Sequence, residues 1–206
     1  MTAAIALSVA LQRTSLDLLD GCSVQVAVRN PSRRAVDVRF LQPQEYAIDV
    51  LRGSDVLWTS APRSTAQGTA IPPHVKRLAS GLSVLAIYVW NEETGGGESL
   101  APGDYIVRAR LLGDGVTPQA TVKLRFAAPT PIVALSSLAA GDAVTIAGRY
   151  DPASQTARDF SGFVKLSRRL TGAPPNRLTV IRGYIAVIAD GTRIFSVSRW
   201  APVTAP

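Results

Sequence analysis

The chain has few of the side chains on which metal, redox and nucleophilic sites depend. Its 206 residues include one cysteine, Cys22, one histidine, His74, and one methionine, which is the first residue. A single cysteine excludes an internal disulfide and a cysteine-based zinc cluster, and a single histidine excludes a multi-histidine metal site. The sequence contains no G-x-S-x-G, H-E-x-x-H or P-loop motif. We therefore expect a protein that is not an enzyme, with no catalytic residues, no metal and no cofactor.

Long hydrophobic runs are also missing. No stretch of about 18 uncharged apolar residues occurs, so we expect no transmembrane helix. The N-terminal residues Ile5, Leu7, Val9 and Leu11 alternate with small residues, and no Lys or Arg precedes them. This pattern favours a β-strand over a signal peptide. It predicts a cytoplasmic protein, although a mature exported form would have the same sequence features.

Apolar residues in alternate positions dominate the rest of the chain. Clear examples are Ser23–Arg29, Tyr105–Leu111 and Ala120–Phe126, with turn residues such as Asn30-Pro31 between the strands. No stretch of ten or more residues has a convincing helical period. Eight or nine strands within about 126 residues, separated by Gly and Pro turns, predict an Ig-like antiparallel β-sandwich.

The segment Ala127–Pro131 has two prolines within three residues, which is typical of an extended linker. We therefore predict a sandwich over residues 1–128, a linker at 129–131 and a smaller all-β domain over 132–206. In this second domain, residues 151–162 are predicted to form a short helix or loop. Asp190-Gly191 is predicted to form a type I′ hairpin turn. Its strands favour a small β-barrel of OB-like fold.

A series of six short phrases in the first domain follows the order and spacing of a known family. The phrases are Val26–Pro31, Val36–Phe40, Gln44–Val50, Asp55–Trp58, Leu78–Ser83 with Trp90, and Leu100–Val107. On these phrases, residues of about 23–112 resemble the BsuPI-type domain of bacterial intracellular proteinase inhibitors. The chain departs from the family at Pro43, where a glycine is usual, and in a longer loop over residues 60–73.

The resemblance implies a protein that binds, and inhibits, a bacterial subtilisin-like serine protease. Such inhibitors present an extended loop to the active-site cleft. The candidate loop carries Arg63, Ser64 and Thr65, and Pro62, Pro72 and Pro73 restrict its freedom. An ordinary variable surface loop would have the same composition, and a structural or adhesive interaction module would have the same scaffold.

The charge of the chain is concentrated in its second part. The net charge is +7; residues 1–128 hold 13 basic and 11 acidic side chains, and residues 129–206 hold nine and four. This excess suggests single-stranded nucleic-acid binding as an alternative function. The candidate residues are Arg168, Arg169, Arg182, Tyr184 and Trp200. The other interpretation is that these arginines solvate a strand face. The identity of the partner and the oligomeric state stay open.

Overall fold

The structure is a computed structural model that describes residues 5–61, 73–90, 98–115 and 117–203, except the side chain of Val84. It is nearly all β, which confirms the all-β part of the predicted fold class. Its one described helix is a 3-10 helix over Ile132–Ser137. The strands are β1 (Ala6–Leu11), β2 (Ser15–Leu16), β3 (Cys22–Asn30), β4 (Val36–Phe40), β5 (Tyr46–Arg52), β6 (Asp55–Thr59), β7 (His74–Leu78), β8 (Gly81–Trp90), β9 (Gly103–Leu111), β10 (Gln119–Phe126), β11 (Ala143–Asp151), β12 (Thr156–Arg158), β13 (Phe163–Lys165), β14 (Leu178–Val187) and β15 (Arg193–Pro202).

The chain forms two compact units that do not follow a single cut in the sequence. Unit 1 contains residues of 1–14, 22–90 and 104–124. Unit 2 contains residues of 15–21, 91–103 and 125–206. Two segments from the first half of the chain thus belong to unit 2. The predicted division at residues 129–131 placed both of them in the first domain.

Unit 1 is sandwich-like. It contains the three-stranded sheet β1-β3-β8, the two-stranded sheet β4-β7, and a sheet in which β10, β9, β5 and β6 are neighbours. Alternation dictates what is buried: Val24, Val26 and Val28 of β3 point inward, as do the odd-numbered residues of β9 from Tyr105 to Leu111. One core cluster draws on β3, β4, β7 and β9 and includes the fully buried Phe40.

The predicted turn at Asn30-Pro31 is present in unit 1, and a second tight turn joins β5 to β6. The Asn30 side chain accepts a hydrogen bond from the amide of Ser32 at 3.0 Å and donates to the carbonyl of Leu78 at 3.1 Å. The β5–β6 hairpin has a two-residue loop in which Gly53 has a φ of 61°. A positive φ at the first loop position suits glycine and matches the twist of the flanking strands.

Unit 2 contains a five-stranded antiparallel sheet with the order β13-β12-β11-β14-β15. The predicted β-barrel is not closed, because within the described residues this sheet is open. β12 and β13 have only three residues each. They are too short to close a full ladder against β15, and a single bridge between Leu166 and Phe195 forms instead.

Two local predictions for unit 2 are also corrected. Residues 156–158, within the predicted helix or loop, form β12. At Asp190-Gly191 only the glycine has a positive φ, 84°, whereas a type I′ turn requires it at both residues. The Asp190 carboxylate accepts a hydrogen bond from the amide of Thr192 at 2.8 Å. This contact stabilises the turn, which is closed by a hydrogen bond from Gly191 N to Ile188 O.

The predicted N-terminal strand is present as β1, which pairs with β3 from Ala6 to Leu11. In the described part of the chain, no helix has the length and apolar character needed to span a membrane.

Candidate protein-binding surfaces

The predicted inhibitory residues Arg63, Ser64 and Thr65 lie outside the described residues, as does most of their loop. On either side of this loop, Ala61 and Pro73 are the nearest residues that the structure describes. Their role therefore stays a prediction from the sequence.

Strand β8 presents an apolar face that the sequence analysis did not single out. Its register with β3 places Leu82, Ile87 and Val89 opposite Arg29, Gln25 and Ser23, on the side of the sheet away from the core. These three apolar side chains are 66%, 67% and 61% exposed. Three large apolar residues in one row on a strand are more than the scattered exposure found on ordinary surfaces.

β8 is also an edge strand. Among the described strands it pairs only with β3. Half of the backbone N–H and C=O groups of such a strand point away from its neighbour and can pair with another chain. The ten residues of β8 include no charged residue and no proline.

Two other edge strands of unit 1, β6 and β7, carry the charges that usually prevent unwanted pairing, whereas β1, at the opposite edge of the β8 sheet, is uncharged like β8. β7 contains Lys76 and Arg77, and β6 begins at Asp55. Charged side chains on an edge oppose the addition of an apolar strand. β8 lacks this protection over its whole length. The signal in the sequence is the uncharged run from Gly81 to Trp90, but strand order was needed to see that it lies at an edge.

The residues of the nucleic-acid alternative have different environments in unit 2. Arg182 is ion-paired with Asp20 at 2.9 Å and Asp17 at 3.4 Å, and it donates to the Thr145 hydroxyl at 3.0 Å. Trp200 is half-buried against the core of the unit. Two of the five candidates are thus engaged inside the fold.

The other three candidates are more accessible. Tyr184 is 45% exposed on β14. Arg168 and Arg169 follow β13 and are exposed, and Arg168 donates to the carbonyl of Ser198 at 3.2 Å. A stacking platform for single strands needs aromatic rings interleaved with cations along one track. These three residues supply one exposed ring.

The carboxylates of Asp151, Asp159 and Asp190 accept hydrogen bonds within their own turns. Hydrogen bonds from Ser154 and from the amide of Ala153 lower the pKa of Asp151. Those from Thr192 lower the pKa of Asp190 in the same way. Burial acts to raise the pKa of Asp159, but hydrogen bonds from Ser161 and from nearby amides outweigh it and lower the pKa. Groups held ionised in this manner are poor proton donors near neutral pH.

Cys22 and His74, each the only residue of its type in the sequence, are used for packing. Cys22 is buried at the start of β3. The His74 ring stacks on Phe40 with ring centroids 5.2 Å apart, and its Nε2 lies 3.4 Å from Glu45 Oε1. Within the described residues, no three His, Cys, Asp or Glu side chains cluster as metal ligands would.

Comparison with known proteins gives no assignment. No family model and no curated protein matches the chain. Among solved structures, the chain is similar to the sporulation control protein Spo0M from Bacillus subtilis, with 12% identity and a TM-score of 0.41 over 93% of this chain and 83% of that one. It is also similar to a β-glucosidase from Erythrobacter marinus, with 18% identity and a TM-score of 0.33 over 59% of this chain and 15% of that one. At these TM-scores neither similarity supports a function.

Proposed function

We propose that the chain is a non-enzymatic protein-binding module, and that β8 is the strand that receives an extended segment of a partner protein. The observation that carries this proposal is the uncharged β8 edge with Leu82, Ile87 and Val89 exposed on one face. In strand addition, main-chain hydrogen bonds supply affinity, and alternate side chains supply specificity. β8 offers both kinds of contact.

The partner segment is expected to be uncharged and to alternate apolar residues on the face that meets Ile87 and Val89. A charged side chain placed there would lose hydration without a counter-ion, since their register partners Gln25 and Ser23 are neutral. A partner protein is favoured over a second copy of this chain because two copies, each at +7, repel one another.

The finer form of the proposal is an inhibitor of a bacterial subtilisin-like serine protease, with an Ig-like BsuPI-type sandwich as its scaffold. The six phrases of the sequence resemblance support it, as does the burial of Trp90 and Tyr105, which belong to those phrases. Inhibition through Arg63 predicts a saturable, stoichiometric loss of protease activity that Arg63→Glu weakens. Full activity across a panel of such proteases, with the folded protein present, would remove this form and leave the β8 proposal standing.

Binding of single-stranded nucleic acid by unit 2 has less support. Arg182 and Arg199 donate to groups within the unit, the latter to the carbonyl of Leu19 at 3.0 Å. The alternative predicts oligonucleotide binding that weakens steeply as salt is raised. Such binding, without any protein partner, would count against the proposed function.

The proposed function is tested by the proteins that the chain captures from its native host. The double variant Ile87→Lys/Val89→Lys places two charges on the β8 edge. The matched control is Val75→Lys on β7, because Val75 is 62% exposed and its strand already carries charges. We expect one identified partner to be lost at least about tenfold with the double variant and retained by the control. Equal recovery by all three proteins would reject β8 as the binding strand.

A further inference from the structure

Unit 2 contains an apolar groove that lies apart in sequence from β8 and that the proposed function does not use. It has a volume of about 860 Å³, within the range of pockets that bind ligands. One wall is the segment 128–131, with Pro129 and Pro131. The floor is formed by Ala147, Arg149 and Leu178 of the sheet, and the other wall carries Arg158 and Phe160.

The two walls are held in place by the Asp159 carboxylate. Its Oδ2 accepts the amide of Ile132 at 2.9 Å, which ties the segment after Pro131 to the opposite wall. Its Oδ1 accepts hydrogen bonds from the amides of Ser161 and Gly162 and from the Ser161 hydroxyl. Thr130 also donates its amide to the carbonyl of Thr145 on β11. A groove fixed by hydrogen bonds on both sides loses little conformational entropy when a ligand binds.

The rim of the groove exposes an aromatic ring to solvent. Phe160 is 95% exposed, the highest value among the large apolar residues described. Leu178 on the floor is also exposed in part. Proline, alanine, leucine and phenylalanine together make a surface suited to an apolar or aromatic side chain.

The groove also has two positive charges without a negative partner. Arg149 and Arg158 are register partners in the β11–β12 pair, and Leu178 faces Arg149 from β14. Like charges directly opposite one another on a sheet destabilise it. Among the described residues no carboxylate forms an ion pair with either guanidinium, since Arg149 donates only to the carbonyl of Asn176 and Asp159 is committed to its own turn.

We infer that this groove binds an extended peptide segment of a partner protein in which a carboxylate side chain lies next to an aromatic or aliphatic one. The carboxylate accepts hydrogen bonds from Arg149 and Arg158 and removes their repulsion. The apolar side chain packs between Phe160 and the two prolines. A polynucleotide fits this site less well, because the groove supplies two cations and apolar residues surround them.

The inference is tested with a library of phage-displayed random dodecapeptides selected on the immobilised full chain. We expect the enriched peptides to share an Asp or Glu beside a Phe, Tyr, Trp or Leu. One enriched peptide is then labelled with fluorescein, and its affinity is measured by anisotropy. Arg158→Glu and Phe160→Ala each weaken binding at least about tenfold, and so does replacement of the peptide's acid by its amide.

The matched control is Arg169→Glu, which makes the same charge change at an exposed arginine outside the groove. It leaves the affinity within about twofold. Failure to enrich any peptide, enrichment without an acidic residue, or binding that survives both groove variants would overturn the inference. Displacement of the peptide by oligothymidylate, with oligothymidylate binding lost in Arg158→Glu, would overturn it in favour of nucleic acid. The Ile87→Lys/Val89→Lys variant keeps its peptide affinity, so failure here is distinguishable from failure of the β8 proposal.

Discussion

Asp49 and Arg110 form a two-contact ion pair in unit 1, with Arg110 Nε 2.8 Å from Oδ2 and Nη2 3.2 Å from Oδ1 of the carboxylate. Arg108 adds a second guanidinium, 2.8 Å from Oδ2, and Thr59 donates its hydroxyl to Oδ1 at 2.7 Å. The Asp49 side chain is 1% exposed, so every acceptor position that water would occupy is taken by protein. This cluster joins β5, β6 and β9 across the face of their sheet.

We expect Asp49→Asn to lower the free energy of unfolding by about 2–3 kcal/mol, because it leaves two partly buried arginines without their counter-charge. The value lies below the roughly 3–5 kcal/mol expected for a fully buried pair, since both arginines retain some contact with solvent. Urea denaturation followed by fluorescence measures the change. Asp55→Asn, at the exposed start of β6, is the matched control and should be nearly neutral.

The same carboxylate should make stability depend on pH. Burial acts to raise the pKa of Asp49, but hydrogen bonds from Arg110, Thr59 and Arg108 outweigh it and lower the pKa below its usual range. A lowered pKa in the folded state means that the contribution is complete above the unfolded-state value and is lost as pH falls through the folded-state value. Thermal unfolding from pH 6 downwards should therefore show a loss of stability that Asp49→Asn reduces. An identical pH profile for the two proteins would contradict this assignment.

Gly183 is required by close packing between β14 and β15. A Cβ at this position would lie 2.1 Å from the carbonyl oxygen of Ser196 and 2.7 Å from the ring of Phe195. The register of the two strands shifts at the same place. Gly183→Ala should therefore cost more than about 2 kcal/mol of stability, because backbone must move.

Gly162→Ala is the control for this substitution. Its Cβ would meet nothing closer than a methyl group of Ile132 at 3.8 Å, which is an ordinary contact. Comparison of the two melting temperatures separates close packing from the general effect of adding a methyl group. Equal melting temperatures would show that the strands can separate at little cost.

The alternation of apolar residues predicted most strands of both units, because the inward positions of a strand are a local property of the sequence. For β3 and β9, it indicates both the strand and the alternate positions that face the core. The alternation over Tyr105–Leu111 also implies that Arg108 and Arg110 lie on the face opposite the core. It could not show that Asp49 lies buried between them, since that contact joins residues about sixty positions apart.

Features that depend on contacts between distant residues could not be predicted from the sequence for the same reason. Strand order decides that β8 lies at an edge, and strand length decides that the sheet of unit 2 stays open. The groove needs Phe160, Arg149 and the prolines of 129–131, which come from three separate segments. The turn at Asp190-Gly191 also differs from the predicted type, and its aspartate side chain accepts a hydrogen bond from Thr192, which the dipeptide alone does not reveal.

Amide hydrogen exchange of the protein with its captured partner tests strand addition at β8 most directly. In the free protein, the outward amides of an unprotected edge exchange readily. We expect the partner to slow exchange in peptides that cover Gly81–Trp90 by at least about tenfold and to leave His74–Leu78 unchanged. Protection elsewhere in the chain, with β8 exchanging as fast as in the free protein, would contradict the account.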